Sequence, residues 1–203
     1  YQLYKQGEPM QATAEEFEKT IDQAMQYNEL EWLNAHPELS YKSKYLAEGL
    51  ENILFKCPEC GSELTLSTKG RTITCSHCGM TATLDDRYGF EGDKPFENFQ
   101  KWYEWQNEQL LLQIEQNADF KLSSHVVLWH QSPSGRTQLV QTGEGVCTFG
   151  RDGLTYVGTD GEEQITKHFP LSQIYRLLFG AGEDFEIYEG EKFWYFVPDD
   201  KRS

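Results

Sequence analysis

Apolar residues along this chain keep two different rhythms. Over residues 13–27 they recur every three or four positions, and Phe17, Ile21, Ala24 and Met25 share one face of a predicted helix. Thr13 and Glu16 have capping-box spacing at its start, and Glu15, Glu16 and Glu18 suit the positive end of the helix dipole. Residues 29–35 continue or restart that helix. His36-Pro37 ends it, because a residue before proline avoids the helical region. Residues 46–52 read as one more helical turn. A further helix carries Phe96, Phe99, Trp102, Tyr103 and Leu110 at three- and four-residue steps and runs to about Gln116. Asp93 is its expected cap, with Pro95 in the first turn.

The second rhythm is that of strands. Residues 64–66 and 72–74 are short β-prone runs around Thr68-Lys-Gly-Arg71, a hairpin turn. Residues 84–93 are polar and contain glycine, as a connector does. From residue 120 seven β-prone runs follow: 126–129, 137–140, 146–149, 154–157, 163–167, 185–188 and 193–196. Turn signals separate them at Ser134-Gly135, Arg151-Asp-Gly153, Asp160-Gly161, Gly180-Ala-Gly182 and Glu189-Gly190. Small strands at near-regular spacing predict an antiparallel barrel or sandwich. The fold class is therefore α+β.

Length and charge narrow the classes. A chain of 203 residues suits one or two domains. Its net charge of −15 opposes binding to a phosphate backbone. With 38% hydrophobic and 14% aromatic residues, the chain can build cores and is not a disordered polymer. No apolar run reaches the roughly 18–20 residues that cross a bilayer, and no signal peptide is visible. A chain that begins at Tyr1 rather than Met reads as a piece of a longer protein. The aromatic helix admits a membrane-surface reading. Glu97, Glu104, Glu108 and Glu115 stand against it, since an interfacial helix carries Lys and Arg on its polar face. Packing on a domain core is expected instead.

Cysteine spacing carries the strongest signal. Cys57-Pro-Glu-Cys60 and Cys75-Ser-His-Cys78 are two tight pairs with fourteen residues between them. Two residues between cysteines let a turn aim both thiolates at one ion, and two such knuckles complete a tetrahedron. Gly61 and Gly79 follow directly, where the turn needs a positive φ. The competing reading, two disulfides, lacks a secretory segment to support it. Cys57, Cys60, Cys75 and Cys78 are thus the expected ligands of a structural Zn2+ in a zinc ribbon, a unit whose own core is too small to fold without metal. Four thiolates leave no open coordination position for catalysis. His77 lies inside the second knuckle and reads as an exposed side chain. Cys147 stands alone in a predicted strand and reads as a small apolar residue.

Catalytic motifs are missing. The sequence holds no G-x-S-x-G, no phosphate-binding glycine loop and no H-E-x-x-H. His36, His77, His125, His130 and His168 are scattered, and His125 and His130 read as surface or core histidines. Asp85-Asp86 and Asp199-Asp200 read as solvated loop carboxylates. Lys56, Lys69 and Arg71 are the ribbon's candidate nucleic-acid contacts, a weak footprint on so acidic a chain.

The run from Ala47 through Cys57-Pro-Glu-Cys60-Gly-Ser, with Ile73-Thr-Cys75-Ser-His-Cys78-Gly, Phe96-Glu-Asn-Phe and Trp102-Tyr-Glu-Trp105-Gln, resembles the C-terminal region of some bacterial (Firmicutes) 1-acyl-sn-glycerol-3-phosphate acyltransferases of the phospholipid/glycerol acyltransferase family. The likeness extends from the first helix to Phe193-Trp-Tyr-Phe196. It implies a parent enzyme that moves an acyl chain from a thioester carrier onto lysophosphatidate at the membrane. In that family a histidine of an H-x-x-x-x-D motif acts as the base. Here the residue five after each histidine is Tyr41, Ala82, His130, Gly135 or Gln173. The resemblance therefore carries over no catalytic residue, and only the cysteine quartet transfers. Gly150-Arg-Asp-Gly-Leu-Thr-Tyr-Val157 and Phe169-Pro-Leu-Ser-Gln-Ile174 are similar to the pattern of pleckstrin-homology (PH) or GRAM-type barrels. The closing helix of such barrels is not evident before Ser203, and Lys121, Arg136, Arg151, Lys167 and Arg176 are too scattered for a phosphoinositide pocket.

The expectation is a helical segment at 1–52, a zinc ribbon at 53–90, a linking aromatic helix at 91–119 and a PH/GRAM-like β domain at 120–203. Its function is that of a non-catalytic docking or regulatory region of a membrane-associated acyltransferase of phospholipid biosynthesis. The expected partner is the acyltransferase domain of the same polypeptide. The expected place is cytoplasmic, at the inner face of the membrane through the parent. The alternative is a free-standing zinc-ribbon and PH-like module that binds a protein or a nucleic acid.

Overall fold

The computed structural model describes residues 13–92, 95–132, 138–174, 177–190 and 192–200. It is mixed α+β and divides into two compact units. One takes in the helices up to Ser43 together with Asp86–Tyr88, and the other runs from Lys44 to Asp85 and from Gly89 onward.

In the first unit, α1 (Ala14–Met25) starts on the predicted capping box. Thr13 Oγ1 accepts the Glu16 N–H at 3.2 Å, and Glu16 Oε2 accepts the Thr13 N–H at 2.9 Å. The short α2 (Glu29–Asn34) restarts the helix after Asn28, whose side chain accepts the N–H groups of Leu30 and Glu31. Its buried anchor is Leu33. Beyond α2 the Arg87 guanidinium gathers the carbonyls of Leu33, His36, Pro37 and Leu39. A cation placed there satisfies carbonyls that a helix end leaves open.

The second unit opens with a single 3-10 turn, Leu50–Asn52, in place of the longer turn of helix expected over 46–52. The ribbon follows as β1 (Leu66–Lys69), β2 (Thr72–Cys75) and β3 (Thr81–Thr83), in antiparallel order β1-β2-β3. The hairpin turns at Gly70, as the sequence suggests, with Lys69 opposite Thr72. The third strand is too short to show in the apolar pattern.

The aromatic helix α3 spans Phe99–Gln116. Its cap is Asn98, whose side chain accepts the Lys101 N–H at 3.0 Å; the expected cap, Asp93, lies outside the described residues. The helix begins after Asn98, so Phe96 precedes the helix rather than beginning it. Trp102 is buried, and its indole N–H donates to the Lys56 carbonyl at 2.8 Å. The helix therefore packs on the ribbon through its tryptophan, as its acidic polar face led us to expect.

Seven antiparallel strands form one sheet: β4 (Leu122–Gln131), β5 (Leu139–Gly150), β6 (Gly153–Asp160), β7 (Glu163–Pro170), β8 (Leu178–Gly180), β9 (Asp184–Glu189) and β10 (Lys192–Pro198). Their order is β7-β6-β5-β4-β10-β9-β8. The number matches the expectation, but the membership differs. Leu139 and Val140 from the run expected at 137–140, and the run at 146–149, belong to one long strand that begins at Leu139. Gly143 and Gly145 are extended ladder residues in it, opposite Leu128 and Val126. The seventh strand is β8, which carries little apolar pattern.

One face of this sheet makes the core: Val126, Leu128, Cys147, Leu154, Tyr156, Phe169, Ile187, Trp194 and Phe196. In a flat sheet β7 and β10, four strand steps apart, would be separated by about 19 Å. Yet Phe169 of β7 and Trp194 of β10 meet edge to face with ring centres 5.4 Å apart. Lys167 of β7 likewise pairs with Glu189 of β9 at 2.5 Å. The sheet is strongly curled, its concave face filled with side chains. No ladder joins β7 to β8 among the described residues, and the seven strands described form one curled sheet.

Candidate metal centre

The two knuckles are built alike. In each, the glycine after the second cysteine donates its N–H to the carbonyl of the first: Gly61 to Cys57 and Gly79 to Cys75, both at 2.9 Å. Both glycines have positive φ, 71° and 76°, which a side chain would oppose. The first cysteine of each knuckle is tied into the ribbon, Cys57 N–H to Ser62 O and Cys75 N–H to Met80 O. These backbone bonds close the turn of each knuckle around its sulfurs.

All four sulfurs lie within 4.8 Å of one another. Cys57 and Cys78 Sγ are 3.8 Å apart, and Cys60 and Cys75 Sγ are 3.9 Å apart. A disulfide needs about 2.05 Å, and all five cysteines are free. A tetrahedron with metal–sulfur arms of about 2.3 Å has edges of about 3.8 Å. The quartet fits one tetrahedral metal ion, and its all-sulfur donor set is one that a soft or borderline divalent ion takes.

Cys57 and Cys75 are buried, while Cys60 and Cys78 are exposed. Backbone N–H groups of Glu59 and Cys60 point at the Cys57 sulfur, and those of His77 and Cys78 at the Cys75 sulfur. Burial nevertheless pushes the Cys57 thiol up to about 12. The hydroxyl and N–H of Ser62 bring Cys60 down to about 5. These N–H groups stabilise negative sulfur. His77 is exposed and adds no ligand atom to the cluster.

The other singled-out residues are not brought together. Cys147 is buried in β5, and burial pushes its thiol up to about 12, so it is an apolar core group as read. His125 pairs with Asp199 at 2.8 Å. His130 faces acceptors with both ring nitrogens, Phe193 O at 2.8 Å and Asp160 Oδ2 at 3.2 Å. Among the ribbon's basic residues, Lys56 pairs with Glu63 at 3.0 Å and Arg71 Nε donates to Leu84 O at 2.8 Å. Arg151 binds the Ile114 and Asn117 carbonyls at the end of α3, while Arg136 and Arg176 lie outside the described residues. Lys56, Arg71 and Arg151 are thus each held by a partner within the fold.

One residue that supports the centre was not foreseen. Gln106 of α3 is fully buried against the segment entering the first knuckle. A lone glutamine in a helix carries no signal of this, since most glutamines are exposed. No helix among the described residues is long and apolar enough to cross a membrane. No protein-family model, curated protein or solved structure matches the chain.

Proposed function

We propose that this chain is a non-catalytic accessory region built around a structural zinc ribbon, serving as the docking or regulatory part of a membrane-associated lysophosphatidate acyltransferase. The observation that carries the accessory role is the closed quartet: four sulfurs already at tetrahedral spacing leave no position for water or substrate. An ion held so supplies folding energy rather than chemistry. The resemblance of the cysteine-bearing segment and the aromatic helix supplies the parent enzyme. Seven curled antiparallel strands suit the PH/GRAM-like reading of the β domain, and Arg151, held by the carbonyls at the end of α3, favours a protein surface over a phosphoinositide as its partner. With a chain charge of −15, attachment to an anionic membrane falls to the parent.

The gene is the test. Upstream of Tyr1, in the same reading frame, an acyltransferase segment with H-x-x-x-x-D is expected. Removing the region described here from the full-length protein lowers acyl transfer, and this chain alone shows none. A start codon just before Tyr1, or acyl transfer by this chain unaided, overturns the reading.

A further inference from the structure

The core of the curled sheet is not filled at one end. Where β4 and β6 begin and β5 finishes, the concave face opens into a cavity of about 360 Å³. Leu122, Cys147, Phe149, Leu154 and Phe185 make its walls. That volume lies within the range of small-molecule sites, about 300–1000 Å³. No charged side chain lines it among the described residues, and Ser123 and Ser124 are the hydroxyl-bearing residues at its rim. Ser123 already bonds Thr148 Oγ1 at 2.9 Å. By strand alternation Ser124 is on the same face as Val126 and Leu128, and its hydroxyl, which donates to His125 O at 3.2 Å, keeps its acceptor lone pairs at an otherwise apolar surface.

The ribbon adds a wall. Leu64 lies between the first knuckle and β1 and lines the same cavity. Its backbone is left-handed, with φ 56°, a conformation costly for a branched apolar residue. It is held there by its N–H bond to Phe55 O at 2.7 Å. Glycine or asparagine would sit in that turn with less strain. Leucine puts hydrocarbon against the cavity instead.

We infer that this cavity binds a single hydrocarbon chain of medium length, with its polar end at the serine rim. Apolar walls reject a buried charge or an unpaired polar group, so a ligand with one polar end and an apolar body is the class that fits. If a methylene takes the ~30 Å³ that a water molecule occupies in the liquid, then 360 Å³ holds roughly a dozen carbons. Cys147 remains a thiol at its wall and forms no bond to the chain. The cavity carries this inference by itself, whichever enzyme the region accompanies.

Calorimetric titration of the zinc-loaded full chain with dodecanoate, below its self-association concentration, tests it. One saturable site per chain is expected. Decanoate binds roughly fifteenfold more weakly, from about 0.8 kcal/mol per methylene. Ser124→Phe and Leu122→Trp, which fill the cavity from its inner face and from its exposed mouth, each weaken binding at least tenfold while zinc content and melting temperature hold. Co-sedimentation with phosphatidylglycerol vesicles separates a free chain from one still in a bilayer. Vesicle binding lost in both variants supports a lipid-borne chain, and vesicle-independent titration supports a free one. Absence of saturation with dodecanoate together with no vesicle binding overturns the inference, as does equal binding by wild type and both filled variants.

Discussion

Gln106 accepts the Phe55 N–H at 2.9 Å through Oε1, from a side chain with no exposed surface. The same amide donates through Nε2 to the Ile53 carbonyl at 2.6 Å. Helix α3 thus finishes the backbone hydrogen bonding of the segment that leads to Cys57. Gln106→Leu keeps volume and removes both bonds, leaving a buried donor and a buried acceptor. Each orphaned group costs about 1–3 kcal/mol. Urea denaturation is expected to show a lower midpoint with an unchanged slope. Gln106→Ala adds a cavity to the same loss and falls lower still.

The quartet was legible because metal chemistry fixes its spacing independently of the rest of the fold. The turn at Gly70 and the capping box at Thr13 were legible for a similar reason, since each is satisfied within a few residues. Gln106 was not, because its partners lie about fifty positions away. The long strand β5 was split into runs at 137–140 and 146–149 because Gly143 and Gly145, which let a neighbouring strand approach closely, interrupt the β-prone pattern. The curl of the sheet was hidden too: contacts such as Phe169 on Trp194 depend on how far each strand twists, which no local pattern states.

Removing the metal should undo one part of the second unit before the other. Elemental analysis of the purified protein is expected to find one zinc per chain, and Cys75→Ser, at a buried ligand position, to abolish stoichiometric binding. With chelator, amide exchange in β1, β2 and β3 should rise to that of open chain. The Trp102 fluorescence should shift to the red, because its indole bonds to Lys56, next to a ligand. The sheet from β4 to β10 has its own core and should keep its protected amides. If protection is lost everywhere at once, the ribbon and the sheet fold as one cooperative unit.

Asp160 gives a prediction in acid. Burial alone would raise its carboxyl. The Thr142 hydroxyl, which leans on it without a bond of good geometry, and the charges of His130 and Lys192 outweigh burial and hold it below the ordinary value. A carboxyl lowered on folding adds stability that is complete above its unfolded value, about 3.9. That stability is lost as pH falls through the folded value. Asp160→Asn should therefore cost stability at pH 7. The gap between the variant and wild type should narrow below about pH 4. Urea midpoints measured from pH 7 to pH 2.5 decide it: a gap that stays constant across that range rules out the ion pairs with His130 and Lys192 as its source.

Close strand approach accounts for the glycines of β5 and β6. Gly145 stands opposite Gly158, and a Cβ on Gly145 would lie 2.3 Å from Val157 O and 2.9 Å from the Tyr156 ring. The buried Tyr156 ring covers this pair and packs on Phe196 at 5.4 Å, while its hydroxyl donates to Thr159 O at 2.7 Å. An aromatic ring laid over paired glycines fills the space that their missing side chains leave. Gly145→Ala must push either the ring or the neighbouring strand aside. Overpacking of this kind costs about 1–3 kcal/mol. Thermal unfolding should show the loss, and near-ultraviolet circular dichroism should change as Tyr156 shifts. Val157→Thr, on the exposed face next to the same tyrosine, should stay within about 0.5 kcal/mol of wild type. If the two variants unfold alike, contact beneath the ring does not set the approach of β5 to β6.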